Sequence, residues 1–189
     1  QEVRQEAEAI AEEYGNPLLL FCGALRYYKG FRYLAAAMQA IDAKLLVIGA
    51  GPNLAEEKHR VQELGVADKV VFLGEKPHEE LAPYYYAADL LVLPSIYRSE
   101  AFGLVQLEAH ACGTPVVSTD IPSGVPFANE HGKTGLTVEP ESPAAIAEAV
   151  NELLADPGRR AEMGAYARER CLRDFTVEKM CERVLEVYG

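Results

Sequence analysis

Five short, continuously apolar runs constrain this chain more than any other feature. They are "PLLLFC" (17–22), "KLLVIG" (44–49), "KVVFLG" (69–74), "DLLVLP" (89–94) and "PVVST" (115–119), with a weaker sixth, "GLTV" (135–138). Segments of helical spacing follow the first four: "FRYLAAAMQAI", "LAEEKHRVQELG", "HEELAPYYYAA" and "GLVQLEAHAC". A strand with one wet face alternates apolar and polar residues, whereas a strand covered on both faces has no need to. Apolar strands separated by helices therefore predict a parallel sheet with helices on both faces. Right-handed crossovers make this an α/β, Rossmann-like, doubly wound sheet of about six strands.

The ends read differently. "EVRQEAEAIAEEYG" predicts a polar amphipathic helix stopped at Gly15. Beyond "GLTVEP" only extra C-terminal helices are expected. The first starts at Ser142 as N-cap with Pro143 in its first turn. "PGRRAEMGAYARERCLRDF" and "TVEKMCERVLEVY" follow, the latter capped by Thr176 with Glu178 in its first turn. No repeat or low-complexity linker interrupts the chain, so residues 1–189 read as a single domain. Its first residue, Gln1 rather than Met, suggests a fragment or a processed chain.

A net charge of −11 argues against nucleic acid or an anionic membrane as partner, since both demand Lys/Arg patches. A small anion needs only a few local cations. No apolar run approaches the roughly 18 residues of a membrane span, and no signal-peptide pattern is visible. Cys22, Cys112, Cys171 and Cys181 form no CxxC spacing. They read as reduced, mostly buried thiols of a cytosolic protein, with no metal site.

Ligands of such sheets sit outside the carboxyl ends of the strands. In the loop after the first strand, Gly23 permits a tight turn, and Arg26 and Lys29 stand near the start of the next helix. Cations normally avoid a helix N-terminus. A bound phosphate would explain them, and two solvated basic side chains would do so equally. "GAGPN" (49–53) lacks the third glycine of a dinucleotide fingerprint, because position 54 is Leu. It predicts close approach of backbone or ligand rather than a nicotinamide cofactor. His78 reads as a turn or capping residue, and Tyr84, Tyr85 and Tyr86 as core.

The fourth loop enters "SEAFGLVQLEAHACG", which carries Glu100 and Glu108. Gly103 precedes a helix whose first amides point outward. Glu108, close to the small residues Ala109 and Ala111, lies where a carboxylate needs a partner, and a vicinal diol is a good one. Eight helical residues span about 12 Å. Glycosidase carboxyl pairs lie about 5–9.5 Å apart. The spacing therefore suits the two ends of an extended ligand better than a pair flanking one bond.

In order and spacing these segments resemble the C-terminal, donor-binding half of the group 1, glycogen-synthase-like retaining glycosyltransferases of GT-B fold. The matching pieces are "LLFCGALRYYKGFRYLAAAM", "KLLVIGAGP", "VVFLGEKPHEELAPYYYAADLLVLPS", "SEAFGLVQLEAHACGTPVVSTD", "HGKTGLTVEP" and "FTVEKMCERVLEVY". The resemblance implies a nucleoside-diphosphate sugar as donor substrate, with no required cofactor or metal. Lys29 would contact the diphosphate and, with Glu100, serve catalysis. Glu100 and the backbone of Phe102 and Gly103 would face the sugar and phosphates. Leu104 and Val105 would approach the diphosphate and ribose, and Glu108 would hold the ribose hydroxyls. Phe72, Gly74 and Lys76 would border the base, and Gly23 would line the first loop. Ala24 departs from the family, which has arginine there; Arg26 is the candidate substitute. Ser123 and Gly124 stand where the family commonly has two glycines.

The resemblance further implies an N-terminal acceptor-binding domain, absent here, against which the last helix would pack. The isolated chain would then bind donor without transferring sugar. The location would be cytoplasmic, or peripheral to the inner membrane face in the full-length enzyme, with membrane contact through the missing domain. Two other readings stay open: a sugar-nucleotide epimerase of the same general fold, and a non-catalytic nucleotide-binding or interaction module.

Overall fold

A computed structural model describes residues 2–188. After helix α1 (Glu2–Tyr14), strands β1 (Leu18–Cys22), β2 (Lys44–Ile48), β3 (Val70–Gly74), β4 (Leu90–Leu93), β5 (Val116–Thr119) and β6 (Gly135–Val138) form one sheet. Helices α2 (Phe31–Ala37), α3 (Leu54–Glu63), α4 (Ala82–Ala87), α5 (Leu104–Cys112) and α6 (Val125–Ala128) lie between successive strands. Three helices end the chain: α7 (Pro143–Ala155), α8 (Pro157–Asp174) and α9 (Val177–Tyr188). The strand order is β3-β2-β1-β4-β5-β6 and every pair is parallel. Each strand lies within one residue of its apolar run at either end.

The sheet explains the runs. Every residue of β1, β4 and β5, at its centre, is buried, whereas the edge strand β3 is mostly half-buried. Alternate residues serve opposite faces. Leu19, Phe21, Leu45, Val47 and Val92 join the core under α2 and α7. Leu18, Leu20, Cys22, Leu46 and Leu91 pack with Tyr85 of α4 and Ala109 of α5. Both sides of each strand are thus apolar for separate reasons.

Two helices are shorter than their periodicity suggests. The segment after β3 splits into a 3-10 turn, His78–Glu80, and α4, with Pro83 in the first turn of α4. Proline has no N–H to bond back to Glu79, so one continuous helix through this point is disfavoured. His78 stands exposed in that 3-10 turn. The segment after β1 ends in a 3-10 turn, Met38–Ala40. At the C-terminus, the Ser142 hydroxyl accepts from the Ala145 amide at 3.3 Å and caps α7. All four cysteines are free. Cys22 and Cys171 are buried and Cys112 half-buried, but Cys181 is exposed, because α9 lies on the outside of the body. Among the described residues no helix is long and apolar enough to cross a membrane.

Candidate functional site

The sheet reverses its winding between β1 and β4. The loops leaving these strands diverge there and open a crevice at the carboxyl edge. The β1 loop carries a single 3-10 turn, Tyr27–Lys29, and ends at Gly30, whose φ of 67° is left-handed. A Cβ at Gly30 would fall 2.0 Å from the Pro94 carbonyl oxygen, so only glycine lets this loop lie on the β4 loop. The Ile96 amide donates to the Tyr28 carbonyl at 2.8 Å and stitches the two together.

This contact brings Lys29 and Glu100 into an ion pair across the crevice, Nζ to Oε2. The same Oε2 accepts from the Ser95 hydroxyl at 3.1 Å. Ser95 is held in turn, its carbonyl accepting from the Thr119 hydroxyl at the end of β5. Glu100 is only 8% exposed, so the lysine and the hydroxyl together offset the cost of holding its charge away from water.

Beyond Glu100, Gly103 caps α5 with φ 71°. A Cβ there would press on Leu93 and on Gln106, whose amide Nε2 donates to the Phe102 carbonyl at 2.9 Å. The first amides of α5 are left without helical partners. Leu104 is largely exposed beside them, and Val105 is half-buried against the core. Phe102 meets Phe127 and Phe175, with ring centroids 6.4 and 6.1 Å away.

Glu108 lies one helical turn past Leu104, about 6 Å along α5. It is half-buried, and its Oε2 accepts from the Tyr85 hydroxyl at 2.6 Å. Burial first, then Cys22 and Glu108, push the Tyr85 hydroxyl far up from its ordinary range. Burial likewise raises the Cys22 thiol. Cys22 forms part of a pocket of about 300 Å³ with Gly23, Ala24, Gly49, Glu75 and Lys76. Lys76 holds its ammonium 5.0 Å from the Tyr84 ring. Thus the carboxyl ends of β1, β2 and β3 wall a cavity, and Cys22 in its wall belongs to the same core cluster as Tyr85.

Of the residues singled out in the sequence, Lys29 and Glu100 meet across the crevice. Gly103, Leu104, Val105 and Glu108 follow on α5, Val105 packing against the core, while Phe102 and Leu104 line an apolar cavity against α9 with Phe127 and Phe175. Gly23 and Lys76 line the pocket. Gly74, left-handed at φ 74°, ends β3, and its carbonyl accepts from the Gly49 amide at 2.7 Å. Phe72 points to the other face of the sheet, 5.7 Å from Phe31 and beneath the Lys58 ammonium. Glu75, beyond the end of β3, takes its place in the pocket wall. Arg26 is exposed at the start of the 3-10 turn, while Ala24 is the residue in the wall. The glycine pair in "GAGPN" admits backbone: Gly51 crowds the Leu25 carbonyl and Gly49 that of Gly23. Among the described residues no three His, Cys, Asp or Glu side chains gather into a metal-holding group.

Sequence reasoning missed Tyr85 and Gln106 as site residues. "YYY" reads as packing, and Tyr85 does pack; its hydroxyl, at the far end of a buried ring, reaches Glu108. Gln106 lies on the inner side of α5, and no local pattern distinguishes it from a surface glutamine.

Comparisons with known proteins agree with this fold. A family model described as "Glycosyl transferases group 1" matches residues 3–170. The D-rhamnosyltransferase WbpZ of Pseudomonas aeruginosa is 39% identical over 172 residues, which cover 91% of this chain and 45% of that protein. The sucrose-phosphate synthase of Thermosynechococcus elongatus superposes with a TM-score of 0.87 at 36% identity, covering 97% of this chain and 48% of that one. HepE of Anabaena, crystallised with UDP, superposes at 0.88 with 24% identity over 97% of this chain and 52% of its own, and shares the fold. The chain spans about half the length of the curated relatives it matches. It belongs to the group 1 glycosyl transferases.

Proposed function

We propose that the chain is the donor-binding half of a retaining glycosyltransferase and holds a nucleoside-diphosphate sugar in the β1/β4 crevice. The observation that carries this reading is the Lys29–Glu100 pair at the reversal point, just ahead of α5, with Glu108 one turn inside that helix. Lys29 and the first amides of α5 offer positive charge for a diphosphate. Glu100 stands at the sugar end, with the Phe102 and Gly103 backbone beside it. Glu108 offers a carboxylate oxygen to the ribose hydroxyls. The base lies in the pocket of Gly23, Ala24, Glu75 and Lys76, past Gly74.

Bond cleavage at the sugar leaves charge on the departing diphosphate. A preorganised ammonium and helix amides stabilise that charge as it develops, with no required cofactor or metal. The acceptor is held by an N-terminal domain outside this chain, so the chain alone binds donor without transferring sugar. The UDP and UDP-glucose named with the HepE structures, and the glycosyl transfer in the relatives' names, support the ligand class.

Calorimetric titration with UDP, GDP and their glucose or mannose esters tests the reading. Binding of at least one is expected, with loss in Lys29→Ala. No heat from any of them would overturn it in favour of an interaction module. Transfer of radiolabelled sugar by the isolated chain would overturn the two-domain part alone.

A further inference from the structure

We infer that Tyr85 is a positioning residue for the nucleotide ribose: its buried hydroxyl fixes the Glu108 carboxylate so that one oxygen is held from below and the other faces the ligand. This rests on the ribose role proposed for Glu108 and adds a residue to it.

The two oxygens of Glu108 are in different situations. Oε2 accepts from Tyr85 at 2.6 Å, a short hydrogen bond of the kind formed by a charged acceptor. Oε1 has no hydrogen-bond partner among the described residues and is not among their buried unpartnered atoms, so it reaches solvent. A free glutamate on a helix samples several rotamers, and aiming it at a diol costs that freedom on binding. A partner that is itself immobile removes the cost beforehand.

Tyr85 is such a partner. It is 2% exposed, and its ring lies among Leu18, Leu20, Cys22 and Ala109. Its backbone is tied as well, its carbonyl accepting from the buried Thr114 hydroxyl at 2.6 Å, just past α5. Tyr85 is therefore joined to the α5 segment at two points, by its side chain to Glu108 and by its backbone to Thr114 just beyond the helix. Burial keeps the hydroxyl protonated, so it acts as an obligate donor to Glu108. A phenylalanine would fill the same apolar volume without that hydrogen bond.

The test is titration of the wild-type chain and Tyr85→Phe with UDP and GDP, then with the 2′,3′-dideoxy counterpart of whichever binds more tightly. Thermal melting confirms that each variant is folded. Wild type is expected to prefer the ribonucleotide. Tyr85→Phe should weaken ribonucleotide binding about tenfold and the dideoxy probe less than about twofold, the size of one charge-assisted hydrogen bond. In a Glu108→Ala background Tyr85→Phe should add nothing. Equal weakening of both probes would assign Tyr85 to packing and overturn the inference, as would unchanged ribonucleotide binding. A wild-type chain that binds the two probes equally would instead sink the ribose role of Glu108, and the inference with it. If Tyr85→Phe does not fold, Tyr85→Met serves. It fills the apolar slot with an unbranched side chain, removes the hydroxyl and leaves Glu108 itself unchanged. Loss of ribose preference supports the inference, and full retention overturns it.

Discussion

Glu100 and Glu108 stand eight positions apart and are held in opposite ways. Glu100 meets a cation, Lys29, and a buried hydroxyl, both on the same oxygen. Glu108 meets a neutral hydroxyl, that of Tyr85. The first end is close to electroneutral, so an incoming diphosphate meets a lysine already engaged and must share it. The second has no cation on it, and its other oxygen is left open for the hydroxyl groups of the proposed ligand. On the proposed reading, one end suits charge that moves during reaction and the other a diol that does not react.

The comparison breaks most severely at Lys29. In Lys29→Met the diphosphate loses its ammonium and Glu100 loses its counter-charge. Nucleoside-diphosphate affinity should fall a hundred- to a thousandfold, roughly 3–4 kcal/mol. Stability to urea should fall too, because a nearly buried carboxylate is left with Ser95 alone. Adding Glu100→Gln should restore most of the stability and none of the affinity. If the double variant regains binding, Lys29 acts on Glu100 and not on the ligand.

A second break comes from the core side of α5. His110 lies two residues past Glu108 on the inner side of α5, 1% exposed. Burial, then the Arg170 guanidinium, push its pKa down to about 4, with the Thr134 backbone opposing weakly. The folded chain thus keeps His110 neutral where an unfolded chain takes a proton near pH 6.5. Stability present above about pH 6.5 drains as pH falls toward 4, by about 3 kcal/mol in all. Urea unfolding at pH 7.5 and 4.5, in wild type and His110→Leu, isolates this share from that of the carboxylates. The variant should lose less on acidification, and an equal loss in both chains would refute the assignment.

How much of this was legible in the sequence follows from the range of each interaction. The strands were legible because two-sided burial writes itself as an unbroken apolar run. The Ser142 cap and the Gly103 turn were legible because they act within three residues. Lys29 with Glu100 was legible as two loop charges, but their pairing is not local: it depends on Gly30 lying against Pro94. Tyr85 with Glu108 was not legible, since the two come from different helices 23 positions apart. The placement of Phe72 was lost for a smaller reason. The side chains of β3 alternate, and a half-buried edge strand does not announce which face holds the ligand.

The two glutamates should also differ in response to the same exchange. Glu108→Gln retains an amide oxygen that can accept from Tyr85, so its stability to urea should match wild type within about 0.5 kcal/mol. Ribonucleotide affinity should drop about tenfold, because an amide oxygen is a weaker acceptor for the diol than a carboxylate. Glu100→Gln should instead cost stability, since Lys29 loses its ion-pair partner. If the two exchanges cost equal stability, the contrast drawn between a charged and a neutral partner is wrong.

The smallest effect is expected at the loop residue where the family's arginine is missing. Ala24 is exposed in the pocket wall, and Arg26 stands outside that wall at the start of the 3-10 turn. An exposed side chain at that distance interacts with a phosphate through high-dielectric solvent. Arg26→Ala should therefore change nucleoside-diphosphate affinity by less than about twofold at 0.15 M salt. Ala24→Arg introduces a guanidinium on the pocket side of the same loop and should tighten binding about three- to tenfold. The gain should shrink as salt is raised, since the added interaction is partly exposed. Calorimetry of the two variants at low and physiological salt decides between the positions. A large loss in Arg26→Ala would mean that the loop turns its arginine inward when ligand arrives, and that the charge at the Glu100 end is shared between two cations rather than carried by Lys29 alone.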